Sequence, residues 1–133
     1  MDQGPLVMEQ IDAGVKLAEK FAAYAPLQSV FWLKEPDDGQ WFLYLASEQI
    51  DDTNFDIAYG EVLRILGKGP HLWLDPFQVK VTGADDPVAR AVFELRNNYS
   101  NRLPTRLRNC KLGGLRVEEA FIYEIPHAVS SGP

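Results

Sequence analysis

Val30-Phe31-Trp32-Leu33 and Trp41-Phe42-Leu43-Tyr44-Leu45-Ala46 are two dense apolar runs separated by Lys34-Glu35-Pro36-Asp37-Asp38-Gly39-Gln40. Asp38-Gly39 between aromatic and β-branched runs predicts a β-hairpin, because glycine takes the positive φ that the turn requires. Both runs are apolar at odd and even positions alike, so both faces of each strand need cover. Strands of that kind lie in the middle of a sheet.

Working outward, Met8, Ile11, Val15, Ala18 and Ala22 recur at three- and four-residue spacing, with Leu17, Phe21 and Tyr24 widening the stripe. This predicts an amphipathic helix from about Val7 to Tyr24, closed by Pro26, which biases Ala25 away from the helical region. A second helix is expected from Thr53 as N-cap to Gly67 as C-cap, with Phe55, Ala58, Tyr59, Val62, Ile65 and Leu66 on its apolar side. Phe77 to Thr82 alternates apolar and polar residues, the pattern of a strand covered on one face. Asp86 can cap a third helix with Pro87 at its first position, ending near Asn97-Asn98. Thr105 to Leu112 and Val117 to Ile125 read as two strands joined around Gly113-Gly114, with Glu118-Glu119 as an alternative helical start. The expected fold is α+β: a single layered domain over residues 1–126, with a mainly antiparallel sheet of about five strands and three helices in the order α-β-β-α-β-α-β-β. Residues 127–133 have the small, turn-forming composition of a disordered tail.

The 133 residues suffice for one self-supporting core. A lone Cys110 allows no internal disulfide and points to a reducing compartment. The first residues lack the basic and apolar regions of a secretory leader, and no run approaches a membrane-spanning length. A cytoplasmic protein without membrane contact is therefore expected.

Charge is unevenly placed. Residues 1–66 carry twelve acids against four bases, net -8, and residues 67–133 carry seven against nine, net +2, which together give the -6 of the chain. Between Arg90 and Arg116 stand Arg90, Arg96, Arg102, Arg106, Arg108, Lys111 and Arg116 against one acid, Glu94. Guanidinium forks bind phosphate or carboxylate through paired hydrogen bonds, and Tyr99 adds a stacking face. In a regular strand Arg106, Arg108 and Cys110 would project from one face, the two arginines about 7 Å apart. The competing reading is that these cations pair with the acids of residues 1–66 or keep a sheet edge soluble.

Motifs for catalysis are sparse. Asp75-Pro76-Phe77-Gln78-Val79-Lys80 partly follows the pattern of divalent-metal nucleases, in which acids hold the metal and a lysine on the same strand steadies water or phosphate. Gln78 stands where an acid is usual, however. Gly60 to Lys68 has the wrong spacing for a phosphate loop, and one cysteine with His71 and His127 makes no zinc set. Cys110 and His71 have nothing in the sequence to bring them together as nucleophile and base. Asp37-Asp38, Asp51-Asp52 and Asp85-Asp86 sit at turns or helix starts, where aspartate satisfies backbone N–H groups.

A binding or adaptor module, without cofactor or metal, is thus the leading expectation. Its partner would be another protein or a second copy, engaged through Tyr99, Arg102, Arg106, Arg108 and Lys111, with Trp73 as an apolar anchor. The alternatives are a nucleic-acid-binding or metal-dependent nucleic-acid-processing protein that uses residues 96–111, with Asp75 and Lys80 as its catalytic pair, and a small-molecule sensor with a tryptophan-lined cleft.

Overall fold

The computed structural model describes residues 6–35, 39–67, 74–98 and 104–124. Its elements follow the expected order: α1 (Met8–Phe21), β1 (Ser29–Lys34), β2 (Trp41–Ser47), α2 (Phe55–Leu66), a 3-10 turn (Pro76–Gln78), β3 (Val79–Gly83), α3 (Pro87–Asn98), β4 (Thr105–Leu112) and β5 (Leu115–Ile122). The strands form one sheet in the order β3-β2-β1-β5-β4. Every neighbouring pair is antiparallel except β2 and β3, which run parallel with α2 as their crossover.

The hairpin sits where its composition requires. All six residues of β1 are buried, and Trp32, Trp41, Phe31 and Leu33 are at most 1 % exposed. Each such side chain contributes about 1.5–3 kcal/mol when fully buried. One face of the sheet presents Val30, Trp32, Trp41, Leu43, Leu45 and Phe121 to α1 and α2. The other presents Phe31, Leu33, Ala46, Ala120 and Ile122 to Ala89 and Val92 of α3. Helices therefore cover both faces, which is why β1 and β2 show no alternation.

Several boundaries shift for local reasons. Helix α1 ends at Phe21, because Ala23 and Tyr24 donate to the carbonyls three residues back and tighten the last turn. Asn54, not Thr53, occupies the cap position of α2, while the Thr53 backbone N–H and hydroxyl both donate to Asp51. Strand β3 begins two residues after Phe77 because Asp75 accepts from the Phe77 N–H at 2.9 Å and Gln78 reaches back to the Asp75 N–H, closing the 3-10 turn. Asp86 does cap α3, accepting from Val88 and Ala89. Glu118 and Glu119 continue β5 as strand instead of opening a helix. Gly39 has the positive φ expected of the first hairpin, and Asp38 lies outside the described residues, as do residues 127–133. No helix of the described residues is long and apolar enough to cross a membrane.

Candidate binding surface

Strands β4 and β5 form a second hairpin at one edge of the sheet, closed by Gly113 and Gly114 at φ 59° and 84°. Two consecutive positive φ values define the tight turn whose twist matches the strands it joins. A Cβ on Gly113 would lie 2.3 Å from the Pro87 carbonyl, so the turn rests against the start of α3.

The alternation of β4 breaks at Asn109, whose φ is 49°. Before it, Arg106 extends over the Phe121 ring, 5.6 Å from its centroid, and donates to the Leu6 carbonyl at 3.0 Å, on the α1 side of the sheet. After it, Cys110 and Leu112 pack into the cluster under α3. The expectation that Arg106, Arg108 and Cys110 share a face is therefore corrected: the left-handed residue between them turns Cys110 to the opposite side. Burial pushes the Cys110 thiol up, which disfavours the thiolate.

The same break gathers the cations. Leu107 and Leu112 both face α3, so Arg106, Arg108 and Lys111 project together on the α1 side. Lys111 stands directly opposite Arg116 in the register of the hairpin, and cross-strand partners share a face. All four are exposed. Among the described residues, ion pairs use Lys34, Arg64 and Lys80; none of Arg90, Arg96, Arg106, Arg108, Lys111 and Arg116 makes one. Arg96 instead donates to the Gln28 carbonyl at 3.4 Å. The basic segment is thus not neutralised by the described acids of the N-terminal half. Tyr99, Arg102 and Trp73, along with His71, lie outside the described residues.

At the opposite edge, the β2–α2–β3 crossover sets the C-terminal ends of two parallel strands side by side. Each is followed by a helix start, so Asp51 and Asp52 before α2 meet Asp85 and Asp86 before α3 around a cavity of about 380 Å³. Hydrogen bonds from Thr53 hold the Asp51 carboxyl below its usual range. Adjoining this cavity, a groove of about 480 Å³ runs along β3 between Tyr44, Phe55, Tyr59 and Phe77. Phe77 is 86 % exposed. These four aspartates were legible as helix starts, but only the parallel pairing of β2 with β3 brings them together.

Asp75 and Lys80 are not joined by any contact. The Asp75 carboxylate is spent on the 3-10 turn, while the Lys80 ammonium lies 4.2 Å from the Phe42 ring centroid and 3.8 Å from a Glu35 oxygen. Among the described residues no three histidines, cysteines or acids are grouped to hold a metal ion. Trp32 and Trp41 are core: the Trp32 Nε1–H donates to the Tyr123 hydroxyl at 2.8 Å, which donates in turn to the Ile11 carbonyl at 2.7 Å. One residue invisible to the sequence reading is Lys34, 3 % exposed in β1 with its ammonium 3.8 Å from Glu118. In comparisons with protein-family models, with curated proteins and with solved structures, this chain matches none.

Proposed function

We propose that this protein is a non-enzymatic binding module that grips an acidic protein surface with the α1-side face of the β4–β5 hairpin. The observation that supports this reading is the pair Lys111 and Arg116. Like charges placed directly across two strands destabilise the hairpin. They stand exposed beside Arg108 with no ion-pair partner among the described residues. A carboxylate-bearing partner relieves that repulsion, and guanidinium groups meet carboxylates through two parallel hydrogen bonds. The net charge of -6 and the aspartates at the far edge weigh against a long polyanion such as nucleic acid, which would be repelled by the rest of the molecule.

The test is titration with a polyglutamate peptide and, separately, with a single-stranded oligothymidylate. Binding of the peptide that weakens steeply with salt and is lost in Arg108→Glu with Lys111→Glu is the expected result. Stronger binding of the oligonucleotide, lost in the same variant, would transfer the site to nucleic acid. No binding of either would leave the cations only the task of keeping an edge strand from pairing.

A further inference from the structure

We infer that the partner of the basic edge is the acidic edge of a second copy of this chain, so that copies associate head to tail along the sheet. The inference rests on the reading of the β4–β5 hairpin as a carboxylate-binding surface. Both edges of the sheet end, among the described residues, in a strand with no outer neighbour: β3 on one side, β4 on the other. Strands β2, β3 and β5 run one way, β1 and β4 the other. A second molecule added by continuing the sheet therefore lays its β4 antiparallel to β3, the pairing that needs no distortion.

Charge selects the register. Placing Arg106 opposite Gly83 brings it to the end of β3 where Asp51, Asp52, Asp85 and Asp86 converge. Arg106 and Arg108 project on the α1 side of their sheet, and Asp51 and Asp52 precede α2, which packs on that same face. From Arg106 to Cys110 and from Val79 to Gly83 each strand offers five residues, about 13 Å, for this pairing. Beyond that overlap the end of the hairpin, with Leu115 38 % exposed, extends toward the 3-10 turn that carries Phe77, which is 86 % exposed. Lys80 falls opposite the uncharged Asn109, so no two cations meet. Arg106 and Arg108 lie toward the aspartates at one end, while Lys111 and Arg116 fall toward the 3-10 turn at the other, so the contact uses the arginines of the basic edge and leaves the Lys111–Arg116 repulsion unrelieved.

Such a contact uses two different patches, so it is heterologous and extends until a ring closes or material runs out. That gives a test by capping. The variants are a basic-edge reversal, Arg106→Glu with Arg108→Glu, and an acidic-edge neutralisation, Asp52→Asn with Asp85→Asn, which leaves no new cation to pair with the reversed edge or with polyglutamate; circular dichroism checks that each folds. If loss of the Arg106 bond to Leu6 unfolds the first, Arg108→Glu alone replaces it. Sedimentation velocity should show wild-type protein growing beyond dimers as concentration rises, and each variant alone remaining monomeric. An equimolar mixture of the two should stop at dimers, because one copy keeps a working basic edge and the other a working acidic edge. A wild type that stays monomeric at every concentration, variants that associate like wild type, or a mixture that stays monomeric would each overturn the inference. The polyglutamate titration of the acidic-edge variant reports separately on the basic face. If this variant binds the peptide while the wild type stays monomeric, only the second-copy assignment fails; if peptide binding is absent as well, the reading beneath it fails too.

Discussion

Two glycines in helices show how much a single Cβ position is worth in this molecule. Gly14 of α1 lies where an added Cβ would come 2.3 Å from the Tyr123 hydroxyl and 3.1 Å from Trp32 Nε1, the two groups that tie the C-terminal end of the sheet to the first helix. Tyr123 is buried and its hydroxyl cannot retreat without losing its bond to the Ile11 carbonyl. Gly14→Ala should therefore destabilise by about 1–3 kcal/mol, the usual range for overpacking a filled site. Gly60 of α2 has nothing within 4 Å of the same position. There alanine removes only the entropic penalty of glycine in a helix, so Gly60→Ala should stabilise by about 0.5–1 kcal/mol. Urea unfolding of the two variants reads both numbers, and the expected result is opposite signs for the same substitution. Neither sign was legible from sequence, where both glycines fall inside helical periodicity; the difference lies in Tyr123, more than a hundred residues away from Gly14.

At the scale of elements, the β4–β5 hairpin joins a stable turn to a strained charge arrangement. Gly113 and Gly114 both hold positive φ, but only Gly113 is pressed against the start of α3. Alanine at Gly114 should cost about 1–2 kcal/mol for the left-handed backbone alone. At Gly113 it should cost more, because the Pro87 carbonyl blocks the methyl. Along the strands, Lys111 faces Arg116. Arg116→Glu replaces a repulsive cross-strand pair with an attractive one, so it should raise the melting temperature slightly while weakening the binding of a polyglutamate peptide. A residue kept only for stability or solubility would not move the two measurements in opposite directions. This element was the most readable part of the candidate site: its strands, turn glycines and basic residues all stand in the sequence. What the sequence hid is the break at Asn109, which looks like an ordinary polar strand residue yet turns Cys110 under α3 and leaves Arg106, Arg108 and Lys111 together on the other side.

For the whole molecule, the layering was legible because β1 and β2 carry apolar residues on both faces, and only helices on both sides can satisfy that. The pairing of edges was not, since no local pattern says that β3 returns parallel to β2 or that four aspartates from two helix starts share one end of the sheet. The same two-sided burial has a consequence for alkaline stability. Tyr44 stacks on Phe31 on the α3 side, at 5.0 Å between ring centroids, and Tyr123 lies on the α1 side. Burial, with the carboxylates of Glu35 and Asp86 adding repulsion, pushes the Tyr44 phenol up to about 12. Burial and the Asp12 carboxylate push Tyr123 up as well, against the opposing effect of its bond from Trp32. A phenol whose folded pKa lies above its unfolded value near 10 keeps its proton in the native state at pH values where the unfolded chain has released it. The native state then binds more protons than the unfolded one, so stability is intact below pH 10 and falls as pH rises from there through about 12. Absorbance of ionised tyrosine at alkaline pH should accordingly show some of the five tyrosines titrating only as the fold is lost. Tyr44→Phe should make the stability curve flatter above pH 10, because one of the groups whose ionisation drives unfolding is gone. A curve as steep as that of the wild type would mean that Tyr44 ionises in the native state as readily as in the unfolded chain, and that its ring is less shielded than its stacking on Phe31 implies.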